Sequence, residues 1–153
     1  LIFSYLQHGR DNVQPNFEYV VEIPKPDELV MHGDAKQLRQ VFWNLLNNAS
    51  QAMRDGGEVE IHGHRNGEEV TIMIQDYGMG IEAHDLERIF DPFYSTKEAG
   101  TGLGLALVQR IVEDHGGRVL VDSIPSEGTR VSVVLPIRQP DIEEQAREQG
   151  VSA

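Results

Sequence analysis

The chain has no cysteine, which excludes a disulfide scaffold, a thiolate zinc site and a cysteine nucleophile, and is compatible with the cytoplasm. It has no apolar run approaching about 18 residues, so no segment is expected to span a bilayer and no membrane contact is expected. Cations are scarce: 13 Lys+Arg stand against 25 Asp+Glu, a formal net charge of −12. Such a surface repels phosphate backbones, so nucleic acid is not an expected partner. A nucleotide can still bind an acidic protein through Mg²⁺, backbone N–H groups and a few placed cations. The first residue, Leu1, is not an initiator Met and no basic n-region precedes an apolar stretch. No signal peptide is visible, and the chain is expected to be a piece of a longer protein.

What is present fits one ordinary domain. The 153 residues are 39% apolar and 25% charged, a globular composition with enough length to bury a core. Residues 1–16 open as the end of an upstream helix and linker, residues 17–137 carry the globular pattern, and residues 138–153 are a polar, acidic tail. Phe17–Ile23 alternates as a strand, and Leu29–His32 reads as a short second one. Asp34 is a good cap for a helix reaching Met53, in which Leu38, Val41, Phe42, Leu45, Leu46, Ala49 and Ala52 share one face. Glu58–His64 and Glu69–Gln75 alternate around a turn at Asn66-Gly67. A short helix is expected at Ala83–Ile89, a loop at Asp91–Thr101 and a second long helix at Leu103–Asp114. Arg118–Ser123 and Thr129–Pro136 close the pattern as a pair of strands. Runs of strands separated by helices predict an α+β fold, a mixed sheet with helices on one face.

Four segments carry chemistry. In Gln40–Ala49, Asn44 and Asn48 lie one turn apart and share a face. Asparagine is a poor helix former, so Asn44, Asn47 and Asn48 inside a strong amphipathic helix point to function. A neutral amide oxygen can coordinate Mg²⁺ without adding charge beside a triphosphate. Asp76 ends an apolar strand before Gly78 and Gly80, where a carboxylate can accept from an adenine amino group and disfavour guanine's carbonyl. Phe90-Asp91-Pro92-Phe93 followed by Tyr94 to Lys97 sets aromatics and a cation at the edge of a loop; the Phe pair is expected to anchor a lid. Gly100-Thr101-Gly102-Leu103-Gly104-Leu105 leads into a helix whose N-terminal N–H groups can cradle phosphate. It is neither a Walker A loop nor the dinucleotide fingerprint. Singly, each segment also has a bland reading: a solvated stripe, an Asp-x-Gly turn, core aromatics, a flexible helix entry.

In this order the segments resemble the catalytic, ATP-binding domain of bacterial sensor histidine kinases, within the Bergerat-fold ATPases. The resemblance covers roughly residues 30–137: an N box at Asn44–Asn48, a G1 box at Asp76–Gly80, an F box at Phe90–Phe93 and a G2 box at Gly100–Leu105. It implies a two-layer α/β sandwich with about five mostly antiparallel strands, about three helices and a mobile ATP lid. It implies that Asn48 binds Mg²⁺, that Asn44 helps hold metal and phosphates, and that Lys97 reaches a phosphate oxygen. The nucleotide contacts it implies are Asn44, Asn48, Asp76, Gly78, Gly80, Ile81, Phe93, Lys97, Gly100, Thr101, Gly102, Leu103, Gly104, Leu105 and Thr129. Thr129, in Glu127-Gly128-Thr129, resembles the threonine lining the base pocket, and His115-Gly116-Gly117 a common helix ending of the family.

ATP-hydrolysing relatives place a general-base Glu where this chain has Asn44, and an amide cannot take the proton, so rapid hydrolysis is not expected. Gln51-Ala52 departs from the Lys-Tyr pair that often follows the N box. The Phe-Tyr-Ser-Thr-Lys wording of the lid is most similar to kinases of the nitrogen-regulation type. None of His8, His32, His62, His64, His84 and His115 has the context of a phosphoacceptor. The resemblance therefore implies a partner, the dimerisation and phosphoacceptor helical domain of the same parent, with a response regulator acting indirectly. A serine kinase of the anti-sigma-factor type and an ATP-sensing module without phosphoryl transfer are the competing readings.

Overall fold

The computed structural model describes residues 16–96 and 100–138. Five strands form one mixed sheet: β1 (Phe17–Glu22), β2 (Gly57–Asn66), β3 (Glu69–Asp76), β4 (Arg118–Ile124) and β5 (Gly128–Pro136), in the order β1-β2-β3-β5-β4. Only β1 and β2 run parallel; the other ladders are antiparallel. A parallel pair needs a long crossover, and helix α1 (Ala35–Ala52) supplies it. Two of the antiparallel pairs are joined by tight turns, Gly67-Glu68 between β2 and β3 and Pro125 to Glu127 between β4 and β5, while β3 and β5 are joined by the long segment between them. The first turn sits one residue later than the sequence suggests, because Asn66 still pairs with Glu69.

Helix α1 and helix α3 (Gly104–Asp114) cover one face of the sheet, with the short α2 (Ala83–Leu86) at its margin. The core lies between the layers. Leu38, Val41, Phe42, Leu45 and Ala49 of α1 and Val108, Ile111 and Val112 of α3 pack on Val59, Ile61, Val70, Ile72, Ile74, Val133 and Leu135. In β2 and β3 the buried residues alternate mostly with half-buried ones, the period of a sheet with one covered face, while Val133, Val134 and Leu135 of β5 are buried in succession. The class and layering are those expected from the sequence.

Asp34 caps α1 through its carboxylate, which accepts from Lys36 N–H at 2.8 Å and Gln37 N–H at 3.1 Å. Those bonds, Gln37 first, hold the Asp34 carboxyl below its usual pKa. The end of α3 is tied to the same cap. Buried His115 accepts from Asp34 N–H through Nε2 at 3.0 Å and bonds Ile111 O through Nδ1 at 2.7 Å. The proton on that ring therefore sits on Nδ1. This pair of contacts gives the His115-Gly116-Gly117 ending its physical role.

Two expectations change. Leu29–His32 is not a strand: His32 N–H bonds Ile137 O at 2.9 Å, but no ladder forms. The segment pairs with neither edge strand, β1 or β4, and instead lays Leu29 and Met31 against the core. The helix expected at Ala83–Ile89 is regular only to Leu86. Beyond it the backbone tightens into three-residue closures, Arg88 N–H to Asp85 O at 2.8 Å and Asp91 N–H to Arg88 O at 2.9 Å. The expectations for residues 1–15, including His8, and for residues 139–153 lie outside the described residues.

Candidate nucleotide site

A cavity of about 350 Å³ opens between α1, the ends of β3 and β5, and the segment leading into α3. That is within the usual range for a small-molecule site. Its first wall is α1: Asn44, Asn47, Asn48, Gln51 and Ala52 all line it. The amphipathic period that buries Leu45 and Ala49 turns these amides toward the opening. The facing wall is the N-terminus of α3. A side chain at Gly104 would put its first carbon 3.5 Å from Asn44 Oδ1, an ordinary van der Waals contact, so the helix end stands directly beside the amide.

The inner end of the cavity is built from paired strand residues. Asp76 and Thr129 are opposite each other across the β3–β5 ladder, and both are buried. Asp76 Oδ1 accepts from Gly78 N–H at 2.9 Å, which fixes the carboxylate as the chain turns out of β3. Thr129 Oγ1 is 2.8 Å from Ser123 Oγ on β4. From the wet face, Gln75 Nε2 donates to the carbonyl of Asp76 at 2.7 Å, and Arg130 Nε donates to Gln75 Oε1 at 3.0 Å. The inner end is thus stitched on both faces of the sheet.

The loop after Asp76 is pinned at each step. Met79 N–H bonds Ala52 O at 3.1 Å, Ser126 N–H bonds Met79 O at 2.8 Å, and Ile81 N–H bonds Ser123 Oγ at 2.8 Å. Gly80 adopts φ +68°, and a side chain there would meet Ile124 O at 2.2 Å. Both conformation and space demand glycine at that position.

The lid residues Tyr94, Ser95 and Thr96 line the cavity with Ile89, and so do Gly100, Thr101 and Gly102. Gly102, with φ +68°, accepts from Phe93 N–H at 2.9 Å, which closes the lid segment onto the glycine loop. Phe93 itself does not line the cavity. Its positive φ of 66° reverses the chain, and its ring is 79% exposed. Phe90 is only half-buried, so the Phe pair is not the anchor expected. Tyr94 takes that part. Its hydroxyl donates to Asp85, and the Arg88 guanidinium lies 4.2 Å above its ring. The bond to Asp85, above all, raises the Tyr94 pKa.

Of the residues named from sequence, Asn44, Asn48, Asp76, Gly80, Ile81, Gly100, Thr101, Gly102, Gly104, Leu105 and Thr129 line one cavity. Gly78 and Leu103 do not; they shape the turns beside it, Gly78 by its bond to Asp76 and Leu103 as the residue preceding α3. Lys97 lies outside the described residues. Sequence reasoning gave no role to Tyr94, Ile89 or Ser123. Tyr94 directly follows the F box, and Ile89 was assigned to a helix. Ser123 shares a face with half-buried Val121 and Val119, a pattern that says only that it faces inward. Among the described residues lining the cavity there is one carboxylate, Asp76, and no Lys or Arg. No group of three or more His, Cys, Asp or Glu able to hold a metal exists among the described residues. Among them, no helix is long and apolar enough to cross a membrane.

Comparison with known proteins agrees with this geometry. Sporulation kinase E of Bacillus subtilis (strain 168) is 37% identical over 134 residues, covering 87% of this chain and 18% of the relative. The chain thus spans under a fifth of that relative's length. The nucleotide-free catalytic domain of the histidine kinase ThkA superposes with a TM-score of 0.74 at 27% identity, covering 90% of this chain and 88% of that one. Full-length ShkA in complex with AMPPNP gives 0.77 at 26% identity over 92% of this chain and 31% of that one. The family profile described as histidine kinase-, DNA gyrase B-, and HSP90-like ATPase matches residues 33–139. With that profile over most of its length and the amide wall, acidic inner end and glycine-led helix in one cavity, the chain belongs to the histidine kinase-, DNA gyrase B- and HSP90-like ATPase family.

Proposed function

We propose that this chain is the catalytic domain of a sensor histidine kinase, which binds Mg-ATP and offers the γ-phosphate to a histidine on a separate helical domain of a longer protein. The observation that carries the reading is the two-ended cavity, amides at one end and Asp76 with Thr129 at the other. Asp76 and Thr129 hold the purine. The backbone N–H groups of residues 100–104 and the positive end of α3 receive the phosphates. Asn48, with Asn44 one turn away, fits Mg²⁺ as a hard amide-oxygen donor, and the absence of a carboxylate cage among the described residues suits a metal shared with phosphate. The ion, when bound, neutralises charge on the transferring phosphoryl group. Lys97 is assigned to a phosphate oxygen on the resemblance alone.

Catalysis by this chain is positioning: it holds the nucleotide in line and keeps water out under the lid. Asp76 sits at the base end, and Asn44 cannot take a proton from water, so ATP is kept for its acceptor. The acceptor histidine, the response regulator that receives the phosphate next and a cytoplasmic location belong to this same reading. Its test is to mix the chain with γ-labelled ATP and the separately produced helical domain of its parent. Acid-labile, alkali-stable label on that domain is the expected result. Acid-stable label on serine would move the chain to the serine kinases, and no label despite ATP binding would make it a sensing module.

A further inference from the structure

Ser123 stands behind the inner end of the cavity, next to Thr129 and outside every recognised motif. It stands opposite Thr129 in the β4–β5 ladder, and its Oγ has three neighbours. Ile81 N–H donates to it at 2.8 Å, it donates to Gly128 O at 3.0 Å, and Thr129 Oγ1 is 2.8 Å away. A serine hydroxyl has one proton and two lone pairs. The Gly128 carbonyl can only accept and the Ile81 amide can only donate. The serine proton therefore goes to Gly128, and one lone pair to Ile81. What faces Thr129 is the second lone pair, so the Thr129 hydroxyl donates to Ser123. With its proton held there, Thr129 meets the cavity as an acceptor, beside the carboxylate of Asp76 across the ladder.

We propose that Ser123 is a positioning residue for base selection. By directing the Thr129 proton away from the cavity, it makes the inner end a paired-acceptor surface. That surface takes a purine with an amino group at C6 and opposes one with a carbonyl there. Its bond to Ile81 also holds the loop that follows Gly80 against β4. The inference rests on the nucleotide-binding reading and adds to it a residue that touches no ligand.

The test uses ATP and ITP, which differ at the C6 edge, and compares Ser123→Thr with Ser123→Val, nearly equal in shape but unequal in having a hydroxyl. Calorimetric dissociation constants are read for each nucleotide on the whole chain with Mg²⁺, beside melting curves. The parent protein and Ser123→Thr are expected to prefer ATP. In Ser123→Val the Thr129 hydroxyl is free to turn and donate to a carbonyl, and the ATP-over-ITP preference shrinks roughly tenfold, the worth of one redirected hydrogen bond. Equal weakening toward both nucleotides, with the ratio kept, would overturn the proposal and leave Ser123 a structural tether only. Should Ser123→Val fold poorly, Ser123→Ala is read by the same ratio. If the parent binds neither nucleotide, the cavity reading itself fails and takes this inference with it.

Discussion

Replacing Asp76 by asparagine tests the base pocket with almost no change in volume. Asp76 is 6% exposed, and its Oδ1 accepts from Gly78 N–H at 2.9 Å. In Asp76→Asn the amide oxygen keeps that bond, because Gly78 N–H can only donate. The –NH₂ then occupies the position of the second carboxylate oxygen. A donor replaces an acceptor where a purine amino group would sit. The loss is one charge-assisted hydrogen bond, about 1.5–3 kcal/mol, and so roughly a 10- to 150-fold weaker dissociation constant for ATP. The assay is calorimetry with Mg²⁺ present, run beside a melting curve. The expected result is this loss of affinity with melting little changed, and a gain for ITP relative to ATP. ATP affinity within about threefold of the parent would refute the reasoning, because no lost charged hydrogen bond is that small. A collapse of folding would show instead that Asp76 serves the β3 turn and not a ligand.

Other outcomes follow from single contacts. Gly80→Ala is expected to cost about 1–3 kcal/mol, because strain at positive φ adds to a clash with Ile124 O. Gly67→Ala is its control: φ is +62° but nothing lies within 4 Å, so only strain, about 1 kcal/mol, should register in chemical denaturation. Asp34→Ala should lower stability by removing the α1 cap, read as a lower melting temperature, leaving ATP affinity unchanged. The carboxyls of Asp34, Glu60 and Glu69 are held below their usual pKa, by backbone N–H groups of α1, by Tyr77 and then His62, and by Arg118 respectively. Their contribution is complete above the ordinary carboxylate values of 3.8 for Asp and 4.5 for Glu, and is lost as pH falls through the lower folded values. Melting temperature should drop across that acid window, and Glu69→Gln, which loses the paired contacts to Arg118, should flatten part of the drop.

Much of this architecture can be read from the chain because local and tertiary demands agree. Asp34 caps α1 in any context, and the three- and four-residue spacing from Leu38 to Ala49 leaves one face to bury. The amides inside that helix stand out since nothing local favours them. The sites that misled are those where one demand hides another. Leu29–His32 has the composition of a strand, but its apolar side chains Leu29 and Met31 go to the core without pairing with either edge strand. Phe93 has the more hydrophobic ring, yet its backbone is used to turn the lid, and the neighbouring Tyr94 packs inward because Asp85 accepts its hydroxyl and the Arg88 guanidinium lies over its face. Ser123 is invisible to pattern reading, since its three partners lie at separations of 42, 5 and 6 residues and meet only once β4 and β5 pair.

The central claim is a cavity that grips an adenine nucleotide through a shared metal. It is tested most directly by calorimetric titration of the chain with ATP, with GTP, and with ATP after chelation of Mg²⁺. The account predicts clear binding of Mg-ATP, binding at least about tenfold weaker without the metal, and little heat with GTP. Equal affinities for ATP and GTP, or ATP binding indifferent to chelation, would contradict it.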